Sequence, residues 1–241
     1  GKVMNGEHVF LSGVLQPVER VIYRVLKIDP EEDMDWKKYS VCAGVFSVLS
    51  LFVLWAILCF QKFLPLNPEG IEGTSWHLGF NTAASFTTNT NWQAYSGEST
   101  LSYFSQMLGL NFQNFVSAAI GIAVLFALIR GFVRVKKTGI GNFYTDMTKT
   151  VLYILIPLSM VVSLTIASQG VPQTFKQYDE VQLLEPVVVE NEDGTATEVT
   201  KAVVPLGPGA SQIAIKQLGT NGGGFWGNNS AHPFENPTPL S

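Results

Sequence analysis

Three long tracts of this chain carry no acidic or basic side chain. No Asp, Glu, Lys or Arg occurs from Tyr39 to Gln61, from Ser99 to Ile129, or from Thr150 to Phe175. A helix needs about 20 mostly apolar residues to cross a bilayer, so each tract is long enough to span one. The tracts predict an all-α polytopic membrane protein. Charged residues make up 14% of the 241, against roughly 25% in a soluble domain. The hydrophobic share of 46% is ordinary by itself. The net charge of −4 points to no nucleic-acid partner. In a membrane chain, the side on which charge sits matters more.

Both cysteines, Cys42 and Cys59, lie in the first tract. At 1.5 Å rise per helical residue they stand about 25 Å apart. They cannot pair within the chain and read as small buried hydrophobes. No basic stretch precedes a short apolar one at the start, so no signal peptide is expected. The Pro-rich end at Pro233, Pro237 and Pro239 has no closing element, and reads as the edge of a fragment of a longer protein.

Residues 1–38 are polar and mixed. Within them, Val18–Leu26 has apolar positions at helical spacing, with Glu19 within a turn of Arg24. It reads as a short amphipathic helix on a membrane surface or a neighbouring subunit. Tyr39–Phe60 is the first expected span. Trp36 and Tyr39, with Lys37 and Lys38, fit an aromatic belt and a positive inner flank. Pro65, Asn67 and Pro68 then turn the chain. The second span is Leu101–Ile129. Its Ser105, Gln106, Asn111, Gln113 and Asn114 must reach partners on other helices or line an aqueous cavity. Ala118, Ala119 and Gly121 allow close helix approach. The third is Thr150–Ala167, with a kink expected at Pro157.

Arg130, Arg134, Lys136 and Lys137 form a basic cluster between the second and third spans. Together with Arg20, Arg24, Lys27, Lys37 and Lys38, they put residues 1–38 and 131–149 on the cytoplasmic side. Residues 168–206 are a long outer loop. Val187–Val189 and Val203–Val204 flank Asp193-Gly194 there and suggest a small β-like hairpin.

Two short apolar segments fit neither a span nor a surface helix. His77–Phe86, capped by Thr74 or Ser75, runs into Thr87-Thr88-Asn89-Thr90-Asn91-Trp92-Gln93, and a polar turn, Gln93–Thr100, follows. Ala210–Leu218, with Ser211 near its start, runs into Gly219-Thr220-Asn221-Gly222-Gly223-Gly224-Phe225. Each segment stands after a span-length one. This order predicts loops that dip into the membrane and offer backbone carbonyls in place of a cation's water. A short helix ending at such a loop directs its negative dipole end at the ion path. Gly222, Gly223 and Gly224 supply unusual dihedrals, and Asn89 and Asn91 tolerate left-handed ones. Hydroxyls at Thr88 and Thr220 add oxygen. Neither loop carries a carboxylate, which favours a monovalent cation over calcium or magnesium.

Other motifs carry no chemistry. Gly222–Gly227 matches G-x-G-x-x-G, but no strand precedes it and no helix with a later acidic residue follows. Lys136-Lys137-Thr138-Gly139 is similar to the D-K-T-G phosphorylation site of P-type ATPases, with Lys136 where the aspartate must stand. There is no Walker A sequence. His8, His77 and His232 lack ligand-spaced companions, and Asn228-Asn229-Ser230 is only a formal glycosylation sequon. No catalytic residue and no nucleotide site are expected.

Longer stretches resemble one family. Asn89–Gln93, Tyr95–Glu98, Leu101–Met107, Phe126–Arg130, Leu218–Phe225 and His232–Thr238 are similar to KdpA, the potassium-binding subunits of bacterial Kdp transporters. The likeness covers nearly the whole chain and is weakest at 1–15 and 176–204. It implies repeats of helix, pore helix, filter loop and helix, four around one pore, as in the potassium transporter superfamily. The domains implied are a cytoplasmic segment 1–38, a first repeat 39–130, a basic loop 131–149 and an incomplete second repeat 150–241. Two filter strands are implied, Thr88, Asn89, Thr90 and Asn91, and Thr220, Asn221, Gly222 and Gly223. Gln93, Gly219 and Gly224 flank them. The implied cargo is K+, bound through backbone carbonyls. The implied partners are the lipid bilayer, the P-type ATPase subunit KdpB, and the small subunits KdpC and KdpF, in a bacterial cell membrane with the filter loops facing outside. The family's first transmembrane helix, the helix that returns after the second loop, and repeats three and four have no counterpart here. Two strands cannot close a ring, so this stretch alone is not expected to select or conduct potassium. A Trk/Ktr-type channel or transporter subunit without an ATP-driven partner is the alternative, and a non-transporting membrane scaffold is a third reading.

Overall fold

The computed structural model describes residues 2–4, 6–134, 139–190, 195–227 and 230–241. Lys136, Lys137, the Asp193-Gly194 tip and the Asn228-Asn229 pair lie outside the described residues. The chain is mostly helical. Three helices are long and apolar enough to cross a membrane: Trp36–Phe63, Ser105–Val133 and Phe143–Ser168. These make the chain a membrane protein.

Helix α1 (Ser12–Leu26) precedes the first span. It stops because Lys27 turns left-handed at φ 53°. There Ile28 N–H reaches the Tyr23 carbonyl at 2.9 Å and Lys27 N–H reaches Arg24 at 3.4 Å, which is a Schellman cap. Glu19 does not serve Arg24 as its spacing suggests. It accepts from the Tyr23 and Tyr153 hydroxyls, each at 2.8 Å, and so ties α1 to the third span. Burial, and then the Glu19 carboxylate beside it, push the Tyr23 hydroxyl far above the usual tyrosine range, so it stays a donor.

Helix α2 (Trp36–Phe60) starts before the charge-free tract, because Asp35 caps it. The Asp35 carboxylate accepts the Lys38 N–H at 2.8 Å, which puts Lys37 and Lys38 in the first turn. Val41, Val45, Val48 and Phe52 on α2 are exposed, while Tyr39, Leu54 and Leu58 are buried. An apolar face of this length is a lipid-facing surface in a membrane chain. Cys42 and Cys59 are free and half-buried.

The first short helix is α3 (Trp76–Thr87), with Ser75 accepting the Leu78 N–H at its start. Leu54, Leu58, Ala83, Phe86, Leu101 and Leu110 pack it against α2 and the next span. The expected polar turn contains one helical turn, α4 (Gly97–Thr100). The second span opens with a π-helical stretch, Ser105–Asn111, and continues as α5 (Phe112–Val133). Ala118 and Ala119 are buried against neighbours. Gly121 is not at a helix contact, since a Cβ there would meet nothing within 4 Å.

The third span is one rod made of α6 (Phe143–Thr150), a π-helical turn Val151–Leu155 and α7 (Ile156–Ser168). It begins well before Thr150 because Asn142 caps it, accepting from the Tyr144 and Thr145 N–H groups at 3.0 and 3.2 Å. This brings Asp146 and Lys149 inside the helix. Asp146 is tolerated because Arg130 of α5 meets it twice, at 2.5 and 2.8 Å. The Tyr39 hydroxyl of α2 adds a third bond at 3.0 Å, and also donates to the Ala123 carbonyl at 2.9 Å. Pro157 follows the wide turn directly. A proline clashes with the carbonyl four residues back, and a π turn just upstream is the local form its accommodation takes.

Outside the spans, β1 (Asp179–Glu190) pairs antiparallel with β2 (Ala196–Val204). Both strands are longer than their valine clusters. Val187–Val189 oppose Val199–Thr197, whereas Val203 and Val204 oppose Glu180 and Asp179, with an irregularity between Gln182 and Val187. The second short helix, α8 (Gly209–Leu218), packs on α7, and α5 touches both α3 and α8.

Candidate functional site

Helices α3 and α8 end in the same way. Asn89 is left-handed at φ 63°. Its N–H bonds the Phe86 carbonyl at 3.3 Å, and Thr90 N–H bonds Ser85 at 3.0 Å. At the second helix Thr220 is left-handed at φ 56°, with its N–H on Gln217 at 3.2 Å and Asn221 N–H on Lys216 at 2.9 Å. Both are Schellman caps with a left-handed residue at the same position. A second left-handed residue follows two places on in each, Asn91 at 58° and Gly222 at 100°. The backbone therefore pairs Asn89 with Thr220 and Asn91 with Gly222. Matching the Thr-Asn letters instead pairs Thr88 with Thr220, one residue out of step.

Glycine serves the second loop in two ways. Gly222 alone of the three has positive φ. Gly223 and Gly224 are required by close approach. A Cβ on Gly223 would sit 2.3 Å from the Asn91 carbonyl oxygen, and one on Gly224 2.6 Å from Lys216 Nζ and Glu235 Oε1.

The two loops stand against each other. Gln93 holds Gly224 by both ends of its amide: it accepts the Gly224 N–H at 3.0 Å and donates to the Gly224 carbonyl at 3.2 Å. Asn89 donates to the Gly219 carbonyl at 3.3 Å. Its oxygen accepts from Ser117 of α5 at 2.7 Å and from Asn221. Asn91 is buried and bonds Asn114 of α5. Gln106 donates to the Phe225 carbonyl at 3.3 Å and accepts from Gln212 of α8 at 3.0 Å. The polar residues of the second span thus divide. Gln106, Gln113 (to Ser50 at 3.4 Å) and Asn114 reach partners on other elements, whereas the Asn111 oxygen has none among the described residues. The Thr88 hydroxyl turns back to the Ala84 carbonyl at 2.9 Å.

These contacts engage loop side chains and the flanking carbonyls of Gly219, Gly224 and Phe225. Among the described residues, no hydrogen bond reaches the carbonyls of Thr88, Asn89, Thr90, Asn91, Thr220, Asn221, Gly222 or Gly223. Thr88, Thr90, Thr220 and Gly222 are exposed, while Asn91, Asn221 and Gly223 are buried. All eight expected residues, with Gln93, Gly219 and Gly224, fall in this one place. An unpaired carbonyl that water does not reach is costly, so those of the buried Asn91, Asn221 and Gly223 suit a group that brings positive charge. No group of three or more His, Cys, Asp and Glu able to hold a metal ion exists among the described residues. Sequence reasoning missed Ser117, Gln212, Lys216 and Glu235, although Ser117 continues the three-residue spacing of Asn111 and Asn114 and Gln212 and Lys216 stand one turn apart on α8.

A family model described as "KdpA: Potassium-transporting ATPase A subunit" matches residues 1–241. The chain belongs to the KdpA family. Similar curated proteins are the potassium-transporting ATPase potassium-binding subunits of Clostridium botulinum (strain Alaska E43 / Type E3), 69% identical over 241 residues, and of Clostridium perfringens, 63% identical over 241 residues. Another is that of Listeria monocytogenes serotype 4a, 57% identical over 240 residues. Each match covers 100% of this chain, which spans 41%, 41% and 40% of those relatives respectively.

In this KdpA-family chain Thr220 is the strained member of the site. A left-handed backbone costs a residue with a Cβ about 1–2 kcal/mol, and a β-branched one is an outlier there. Thr220→Gly should therefore stabilise the full-length protein by about 1 kcal/mol, read as a rise in its thermal midpoint in detergent. A fall would mean that the threonine side chain makes a compensating contact.

Proposed function

We propose that the chain supplies two quarters of the potassium-binding membrane subunit of an ATP-driven potassium uptake complex. The observation that carries this is the set of eight carbonyls at the C-terminal ends of two short helices that no hydrogen bond reaches among the described residues. The helix ends add negative potential there, and no carboxylate lies in either loop, as suits a monovalent ion. On this reading residues 39–130 form a first unit of span, pore helix, filter loop and span, and residues 150–241 open a second. Residues 1–38 and 131–149 face the cytoplasm of a bacterial cell, and the loops and the β-hairpin face outside. Thr88–Asn91 and Thr220–Gly223 line the ion path. The other two quarters come from the rest of the full-length protein. ATP is hydrolysed on KdpB, with KdpC and KdpF completing the assembly. The names of the relatives support potassium as the cargo.

The test is ATP hydrolysis by the purified full-length complex as K+ is varied. Hydrolysis should rise with K+ and saturate. ATP turnover that ignores K+ would reject the proposal. Potassium flux through the full-length protein alone, without ATP or KdpB, would favour the Trk/Ktr-type alternative.

A further inference from the structure

One buried ion pair lies behind the second loop. Lys216 Nζ donates to Glu235 Oε2 at 2.6 Å, and both side chains are fully buried. Arg130–Asp146, the other largely buried pair among the described residues, ties helices together far along the chain from either loop. Lys216–Glu235 touches the loop itself. Lys216 is the residue whose carbonyl accepts the Asn221 N–H and so closes the cap at the head of the loop. Its ammonium lies against Gly224, so close that no Cβ fits between them, and Glu235 Oε1 lies equally close. Glu235 Oε1 itself accepts no hydrogen bond among the described residues. On its other side Gly224 is held by Gln93. At the position equivalent to Lys216, the first unit has Ser85, which donates to the Trp92 carbonyl at 3.1 Å. A full charge thus supports one loop and a neutral hydroxyl the other.

Stability alone does not account for this. Well-packed apolar residues usually serve as well as a buried ion pair, whereas removing one partner leaves an uncompensated charge. An uncompensated lysine beside Gly224 would repel a cation at Gly223, and in a low-dielectric site that effect is large. We infer that Lys216 and Glu235 are positioning residues for the second loop. They clamp Gly224 against Gln93, and their charge balance sets the affinity of the Thr220–Gly223 carbonyls for a monovalent cation. This rests on the proposed function and deepens it.

The test uses the full-length complex and half-saturating K+ for ATP hydrolysis. Glu235→Gln leaves the lysine unpaired and should raise half-saturation at least about tenfold with maximal rate within about twofold. Lys216→Met leaves negative charge and should keep half-saturation within about threefold, while making the complex sensitive to block by Ba2+. The neutral double variant Lys216→Met/Glu235→Leu should restore half-saturation to within about threefold of the parent. A loss of affinity confined to Glu235→Gln separates charge balance from simple support. Equal loss of affinity in both, or no change in Glu235→Gln, would overturn the inference. If Glu235→Gln does not assemble, Ba2+ block decides: it should appear in Lys216→Met and be absent from the parent and the double variant, and its absence from Lys216→Met would overturn the inference. Failure of all three to assemble would assign the pair to folding and overturn it as well. A parent complex that ignores K+ would instead reject the proposed function.

Discussion

Gly223→Ala, in the full-length complex, raises the K+ needed for half-maximal ATP hydrolysis by about ten- to a hundredfold. Gly223→Asp raises it further. The Cβ of either residue would sit 2.3 Å from the Asn91 carbonyl oxygen, 3.0 Å from the Asn91 Cβ and 3.1 Å from Phe86 Cζ. The nearest atom is backbone, so no flexible tip can swing aside. Overpacking of this kind costs about 1–3 kcal/mol, and 1.4 kcal/mol is a tenfold change in affinity. The first loop must yield, and Asn91 carries one of the carbonyls proposed to line the ion path. Aspartate adds a carboxylate in a buried place without a partner, which costs more again. Alanine isolates the steric part. Parent-like affinity in Gly223→Ala would mean that the contact between the two loops does not shape the ion path.

Asp146→Ala is expected to destabilise the full-length protein by about 3–5 kcal/mol, the usual result of breaking a buried pair from one side. The Asp146 side chain is 3% exposed and that of Arg130 17%. Removing the carboxylate strands the guanidinium and leaves the Tyr39 hydroxyl only the Ala123 carbonyl. Three spans lose their common tie at once. A large fall in thermal midpoint, or loss of folded protein from detergent extracts, checks it. The Arg134–Asp33 pair is the control. Its side chains are 34% and 44% exposed, so Asp33→Asn should cost under about 1 kcal/mol. Equal effects at Asp146 and Asp33 would contradict the assignment of Asp146 as the tie.

The spans were legible because absence of charge is a strong signal over twenty residues. Their ends were not. Helix α6 hides behind Asp146 and Lys149, whose charges read as loop until Arg130 is seen beside them. The loops were legible as Thr-Asn and Gly-rich stretches after helices too short to span. Asn89 and Asn91 took the left-handed backbone their side chains permit. Thr220 was illegible, since a β-branched residue argues against that conformation. The same letters misled the register, because the repeat in the backbone is a repeat of helix ends and not of residue types. Gln93 with Gly224, and Lys216 with Glu235, join positions far apart in the chain or on no helical period. Only the packed structure brings them together.

The π-helical stretch Ser105–Asn111 sets the phase of the second span. Gln106, at its start, meets the Phe225 end of the second loop, while Asn114, beyond it, meets Asn91 of the first. One residue is about 100° of rotation in an α-helix. Deleting a single residue here would turn everything downstream by that angle and swing Asn114 and Ser117 away from both loops. Length in this stretch is therefore under as strict a constraint as composition. Genes for such chains should vary in loop length at the β-hairpin while keeping the count between Gln106 and Asn114 unchanged.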